Sequence, residues 1–294
     1  MIIALIGPTC SGKSAIAIEL AKHFHGEIIN CDAFQVYKEL NVGTAKPTIE
    51  EMELVPHHLF DFVSPRTNYS VRDFQIDFRK TLDELISKNI PAIIVGGTGL
   101  YLKASIMDYS FNDEAENDMS KFEDYTNEEL YEILMKIDPE DAKKMHPNNR
   151  KRVLRSIAIY HLNGKSKTDL IKQQEHKYLY ELDIFGIDIP REELYQRINN
   201  RVDKMVKDGL FIETKNLLKK YGKNHQCFQA IGYREIIESP NGEVDQISDQ
   251  IKKNTRNYAK RQITFFKHQL PVKWVKDIDE IYSFLKNDSK IESK

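Results

Sequence analysis

The chain has 294 residues, 40% of them hydrophobic and 30% charged, with a formal net charge of −2. That composition suits a soluble globular protein made of one large domain or of a core with a smaller one. It also means that any nucleic-acid partner has to be met by local basic patches rather than by the charge of the whole chain. No apolar run approaches membrane-spanning length, so no membrane partner is expected. The three cysteines, Cys10, Cys31 and Cys227, are odd in number and never spaced C-x-x-C. They fit a reducing cytoplasm and argue against zinc or a disulfide frame.

In chain order, residues 1–6 are an apolar run short enough for a buried strand. Gly7-Pro-Thr-Cys-Ser-Gly12-Lys13-Ser14 follows, of the form G-x-x-x-x-G-K-S, and leads into a helical pattern with Ile16, Leu20 and Phe24 at four-residue steps. Strand, glycine loop and helix form the context of a phosphate loop. Its backbone amides and the helix N-terminus attract phosphate, Lys13 can reach a terminal phosphate, and Ser14 can ligate Mg²⁺. The start of the chain is therefore read as structure rather than as a signal peptide.

Residues 27–30 predict a second strand ending at Cys31-Asp32, and Gly43-Thr-Ala-Lys-Pro47 a loop. Ser70 and Asp73 form a capping box ahead of a helix through Phe74, Phe78, Leu82 and Leu85. Residues 90–95 predict a buried strand ending in Gly96-Gly97-Thr98-Gly99-Leu100-Tyr101. This alternation implies an α/β parallel sheet with helices on both faces. The composition then shifts: residues 113–141 carry twelve Asp/Glu against two Lys/Arg, and residues 143–177 carry ten Lys/Arg against two Asp/Glu. Helical patterns dominate both blocks (Leu130, Ile133, Leu134, Ile137; then Val153, Ile157, Tyr160). They read as a helical insertion, residues 112–187, within a discontinuous core of residues 1–111 and 188–294. Charge segregated in this way points the basic half, with Lys151, Arg152 and Arg155, toward nucleic acid.

Residues 180–187 predict a returning strand. Pro190 suits the first turn of the next helix, whose stripe is Leu194, Ile198, Val202 and Met205 and whose end is Gly209. Residues 245–269 predict a long basic helix with Lys253, Arg256, Lys260 and Lys267 on one face. The tail from Asn287 is polar and reads as a frayed end.

The chemistry starts from an absence. ATP-hydrolysing phosphate-loop enzymes usually carry an Asp at a later strand end to hold Mg²⁺, whereas the strand here ends in Gly-Gly-Thr. The loop is thus suited to a diphosphate without ATP cleavage. Asp32 does end a strand and should face the bound phosphate compound; the lesser alternative is a helix cap or a plain Mg²⁺ ligand. Arg197 and Arg201, spaced i, i+4, could clamp diphosphate oxygens or form a solvated pair.

Gly7-Pro-Thr-Cys-Ser-Gly-Lys-Ser14, Asp32-Ala-Phe-Gln-Val-Tyr37, Gly43-Thr-Ala-Lys-Pro47, Pro56-His-His58, Gly96-Gly-Thr-Gly-Leu-Tyr101, Arg197-Ile-Asn-Asn-Arg201, Gly232-Tyr-Arg234 and Lys260-Arg-Gln-Ile-Thr264 stand in this order. The set resembles the tRNA dimethylallyltransferases over nearly the whole chain. The resemblance implies a core like that of the phosphate-loop NTPases. It also implies transfer of a dimethylallyl group from its diphosphate to N6 of adenine-37, next to the anticodon, with release of diphosphate. The partners would be the tRNA anticodon stem-loop and dimethylallyl diphosphate, the cofactor Mg²⁺ on Ser14, and the enzyme a cytoplasmic monomer.

The catalytic residues implied are Asp32 as base, Thr98, and Arg201 on the diphosphate. The donor's diphosphate would be held by Gly7, Pro8, Thr9, Cys10, Ser11, Gly12, Lys13, Ser14 and Arg201, with Arg197 as the other candidate arginine. The tRNA would meet Asp32, Ala33, Phe34, Gln35, Thr98, Lys151, Arg152, Arg155, Gly232, Tyr233, Arg234, Lys260, Arg261 and Gln262. Ala33 departs from the family's usual Ser, and the eukaryotic zinc finger is absent. His57 and His58 match the family but are assigned no role. The alternatives are an adenylate isopentenyltransferase acting on AMP, ADP or ATP, and a small-molecule phosphate-loop kinase.

Overall fold

Runs of Ile, Val, Leu and Ala without alternation can be satisfied only by strands buried on both faces, which parallel sheets provide. The structure, a computed structural model, describes residues 1–111 and 120–291. Among these, six strands, β1 (Ile2–Ile6), β2 (Glu27–Cys31), β3 (His57–His58), β4 (Ala92–Gly96), β5 (Asp183–Ile187) and β6 (Lys273–Val275), form one sheet in the order β3-β2-β4-β1-β5-β6. Every neighbouring pair is parallel. Helices α1 (Lys13–Phe24), α2 (Ile49–Leu54), α3 (Val71–Ser87) and α4 (Gly99–Ile106) fall between or after the first four strands. Helices α5 (Asn127–Ile137), α6 (Pro139–Ala142), α7 (Arg150–Asn163) and α8 (Lys167–Lys172) come next. Helices α9 (Arg191–Lys207), α10 (Leu210–Tyr221), α11 (Tyr233–Glu238), α12 (Val244–Gln269) and α13 (Ile278–Ile291) complete the chain. No helix among the described residues is long and apolar enough to cross a membrane.

The chain divides into two compact units, Met1–Ile106 with Tyr180–Lys294, and Met107–Leu179. The sequence placed the boundaries at 111/112 and 187/188. Both boundaries lie earlier in the chain: Met107 bridges to Tyr178 within the smaller unit, and β5 pairs with β1 and β6 and so belongs to the sheet. Residue 112, and the start of the acidic block, lie outside the described residues. The smaller unit has its own apolar core, with Leu130, Leu134, Val153 and Ile157 all 0% exposed. Buried Asp141 there accepts from Ser156 Oγ at 2.6 Å and pairs with Lys167 at 3.0 Å.

In the larger unit the expected capping box is present: Ser70 Oγ accepts from Asp73 N, and an Asp73 carboxylate oxygen accepts from Ser70 N. Pro190 sits one position earlier than expected, at the N-cap of α9. The tail expected to fray from Asn287 continues as helix to Ile291, because α13 is amphipathic and Ile281 is 0% exposed against the sheet core. Residues 292–294 lie outside the described residues.

Three strand ends set the site. Ile6 of β1 and Cys31 of β2 both stand opposite Gly96 of β4. The segments that follow, beginning at Gly7, Asp32 and Gly97, therefore emerge side by side at the C-terminal edge of the sheet. A β-carbon on Gly96 would lie 2.0 Å from the carbonyl oxygen of Cys31, so these two strands can lie this close only with glycine there. Gly96→Ala is expected to destabilise the larger unit by roughly 3 kcal/mol or more, because the clash is with backbone. Gly209→Ala, in open space at φ 98°, should cost only about 1 kcal/mol for its left-handed backbone. Urea unfolding of the two variants checks the difference.

Candidate active site

The phosphate loop folds as its sequence demands. Gly12 (φ 89°) and Cys10 (φ 65°) take left-handed backbone just before α1. The Lys13 ammonium curls back and donates to the Pro8 carbonyl at 3.0 Å. Ser11 is 4% exposed, and its hydroxyl is buried with no hydrogen-bond partner. An orphaned buried hydroxyl inside a loop at a helix N-terminus fits a cradle for anionic oxygens. Ser14 is exposed in the first turn of α1, which fits one Mg²⁺ ligand. No cluster of three or more His, Cys, Asp or Glu that could hold a metal occurs among the described residues. The metal would therefore rely on Ser14 and on the oxygens of a bound diphosphate. Burial lowers the Lys13 ammonium from 10.5 to about 8; the Arg201 charge adds to this, and Asp32 and Cys10 oppose it.

Arg201 donates to Thr9 Oγ1 at 3.5 Å and to Cys10 Sγ at 3.7 Å, so α9 brings it onto the loop. Arg197 is exposed and paired with Glu193 at 2.6 Å, although its guanidinium passes near Gly12. The i, i+4 pair thus divides: Arg201 reaches the loop's side chains, and Arg197 lies at its rim.

The two carboxylate oxygens of Asp32 are engaged differently. Its Oδ1 accepts from Phe34 N at 2.9 Å and from Gln35 N at 3.4 Å, which makes the turn after β2. Its Oδ2 has no hydrogen-bond partner among the described residues. Thr98 Oγ1 accepts from Ala33 N at 3.1 Å, and Thr98 N donates to the Cys31 carbonyl. The two expected catalytic side chains are therefore tied together through the backbone at residues 31–33.

Two cavities meet at this point. The smaller, about 160 Å³, is lined by Lys13, Ser14, Gln35 and Gln262, among others. The larger, about 410 Å³, is lined by Phe34, Val202, Met205, Arg234, Tyr258 and Arg261, among others. Thr9, Asp32, Thr44 and Arg201 line both. A carboxylate with one unengaged oxygen thus stands between a phosphate-loop cavity and a second, wider one.

Several expected tRNA contacts have other duties. Gln262 is 5% exposed, its Oε1 accepts from Thr9 N at 2.9 Å, and its Nε2 donates to the Gly97 carbonyl at 2.8 Å. Tyr233 is 0% exposed, and its hydroxyl donates to Glu213 at 2.5 Å and accepts from Gly43 N at 3.1 Å. Gly232 is buried with φ 101° ahead of α11. All three, expected as tRNA contacts, are thus buried in the structure, and the polar groups of Gln262 and Tyr233 are engaged within the protein. Gln35 spends its amide donors on the Thr44 and Ala45 carbonyls, which pins the Gly43–Pro47 loop instead of leaving them for a base. Arg256 donates to Asn199 at 2.7 Å and lies over the Tyr195 ring, which removes it from the exposed stripe of Lys253, Lys260 and Lys267.

Lys260 and Arg261 are exposed, and Arg261 lines the larger cavity. His57 Nδ1 donates to the Val55 carbonyl at the end of α2 at 2.8 Å, and His58 binds Glu27 at 2.6 Å. In the smaller unit Lys151, Arg152 and Arg155 are exposed on α7. The sequence reading missed Tyr258. Burial and then the Asp32 charge push its hydroxyl well above the usual phenol range, its side chain interacts with Thr98, and Arg261 lies over its ring. Its place three residues before Arg261 on a basic helix hid it.

A family model described as IPP transferase matches residues 35–269, and one described as isopentenyl transferase matches residues 1–61. A tRNA dimethylallyltransferase of Anoxybacillus flavithermus is 44% identical over 283 residues, covering 95% of this chain and 91% of that protein. One of Bacillus subtilis is 40% identical over 281 residues, covering 93% and 90%. The crystal structure of a tRNA isopentenylpyrophosphate transferase from Staphylococcus epidermidis matches with a TM-score of 0.72 at 38% identity, covering 98% and 99%. A eukaryotic dimethylallyltransferase described as acting on tRNA matches with a TM-score of 0.81 at 28% identity, covering 95% of this chain and 75% of that one.

The depressed Lys13 has a direct consequence. Below pH 8 the ammonium is charged and can meet an anion; above it the charge is lost. Affinity for inorganic diphosphate, taken relative to a Lys13→Met variant that shares the ligand's own titration, is expected to be level below about pH 7 and to fall up to about tenfold per unit above pH 8. Calorimetry in two buffers should also show proton uptake on binding near pH 8. A flat difference between wild type and variant from pH 7 to 9 would remove Lys13 from the anion site.

Proposed function

This chain belongs to the IPP transferase family, and we propose that it transfers the dimethylallyl group of dimethylallyl diphosphate to N6 of adenine-37, beside the anticodon of a tRNA, with release of diphosphate. The observation that carries this reading is the position of Asp32, with one oxygen unengaged, in the wall shared by the phosphate-loop cavity and the wider one. The donor's diphosphate would lie on the loop amides, Lys13 and Arg201. The unstacked adenine would enter the larger cavity, where Phe34 and Tyr258 offer aromatic surface.

Adenine N6 is a poor nucleophile because its lone pair is delocalised into the ring. Asp32 Oδ2 takes the N6 proton as positive charge develops there. The N6–C1 bond forms, the C1–O bond breaks, and its electron pair leaves on the diphosphate oxygen. Lys13, the loop amides and Arg201 stabilise that charge where it accumulates. Mg²⁺ on Ser14, when bound, would neutralise part of it. Thr98, fixed on the Ala33 amide, keeps the Asp32 turn in register with the end of β4.

Support for an RNA acceptor comes from α7. Its first turn holds Arg150, Lys151 and Arg152 and no acidic residue. Cations at a helix N-terminus oppose the macrodipole and weaken the helix. Arg150 is engaged with the carbonyls of Phe122, Glu123 and Tyr125, whereas Lys151 and Arg152 are exposed. A polyanion would offset their repulsion, and a free nucleotide has no need of them. The three cysteines are free thiols, in keeping with the cytoplasm as the working compartment.

Incubated with labelled dimethylallyl diphosphate, the protein should label tRNA and not AMP; label on AMP at equal efficiency would give the adenylate reading instead. Asp32→Asn should lower kcat by about 10²–10⁴-fold with diphosphate affinity retained, and wild-type turnover in that variant would remove Asp32 as the base. Changing Lys151, Arg152 and Arg155 together to Ala should weaken tRNA binding and flatten its salt dependence, by roughly 0.7–0.9 in log–log slope for each phosphate that is no longer neutralised. Full affinity with an unchanged slope would show that α7 makes no phosphate contacts.

A further inference from the structure

Glu235 is a charged side chain that the transfer reaction leaves without a role. It is 4% exposed, in the first turn of α11. Its Oε2 accepts from Gly232 N at 2.7 Å, and its Oε1 accepts from Arg234 Nη2 at 2.9 Å and from Asn254 Nδ2 at 2.6 Å. A buried carboxylate is costly unless donors satisfy it, and three donors do so here. Capping α11 requires one acceptor for the Gly232 amide, which a neutral Gln or Ser could supply. The charge and the second oxygen are used on Arg234 and Asn254, which come from different helices.

Both of those residues line the larger cavity together with Asp32 and Tyr258, whereas Glu235 does not. Asn254 is held from its other side as well, its Oδ1 accepting from Gln250 Nε2 at 3.0 Å. Arg234 is half-buried, and among the described residues only its Nη2 is engaged, so Nη1 and Nε keep their donors. A guanidinium anchored at one nitrogen on a buried carboxylate has fewer orientations open to it, and its remaining donors suit a phosphate or a base edge.

We propose that Glu235 is a positioning residue for the acceptor: it locks Arg234 and Asn254 into the wall of the larger cavity, so that the remaining donors of Arg234 meet the acceptor nucleotide in one geometry. The inference rests on the larger cavity being the acceptor's. Glu235 touches neither substrate and acts through Arg234.

The test is a kinetic double-mutant cycle on the full chain. Glu235→Gln, Arg234→Ala and the double variant are assayed for transfer to a tRNA anticodon stem-loop, and separately for binding of inorganic diphosphate. Each single change should raise KM for the RNA roughly tenfold, with kcat and diphosphate affinity little changed. The double variant should be no worse than Arg234→Ala alone, because Glu235 has nothing left to position. Asn254→Ala leaves the α11 cap intact and serves if the Gln variant does not fold; it should give a smaller rise in KM that also disappears in the Arg234→Ala background. An unchanged KM, single effects that multiply in the double variant, or a parallel fall in kcat and diphosphate affinity would overturn the proposal. A wild-type protein that labels no RNA would overturn the acceptor reading and this inference together.

Discussion

One side-chain amide holds the site in register. Gln262, buried on α12, accepts from the Thr9 amide of the phosphate loop and donates to the Gly97 carbonyl at the end of β4. The loop that would hold the leaving group and the segment that carries Thr98 are thereby fixed to each other through a single rigid group. A β-carbon on Gly97 would lie 2.1 Å from Gln262 Nε2, so any side chain there would have to displace the amide from the Gly97 carbonyl and loosen this link.

The rest of the site is built on comparable restraints. The Gly43–Pro47 loop is held by Glu213, which accepts from the Val42 and Gly43 amides, by the Tyr233 hydroxyl, by Gln35, and by Lys46, whose ammonium binds the Tyr37 carbonyl and Asp61. Asp32 is fixed by two amides on one oxygen. None of these groups has to reorganise when charge develops, and preorganised electrostatics of this kind supply much of an enzyme's rate.

Elements specified by local signals were legible in the sequence. The phosphate loop, the Ser70–Asp73 box, the stripe of α9 and the buried strands each follow from periodicity or capping chemistry within a few residues. Asp32 was legible because strand ends converge in a parallel sheet, whereas Thr98 was reached only through the family resemblance. Less visible were features settled by distant packing. Gln262, Tyr233 and Gly232 sit in motifs that resemble ligand contacts, yet their partners are 20 to 253 residues away or lie inside a short helix turn. Tyr258 and Glu235 gave no local signal. β3 escaped because two residues, His57 and His58, carry no alternation at all, and their pairing with β2 comes entirely from the sheet.

The shared wall of the two cavities also bears on traffic. Thr9, Asp32, Thr44 and Arg201 belong to both spaces, so under the proposed function the donor and the acceptor would approach the same carboxylate from separate chambers. On that assignment neither substrate would have to pass through the other's cavity, and the two products would be left in different compartments. The small anion could then leave without first displacing the modified nucleotide, so release of the two products would not be coupled by a shared exit.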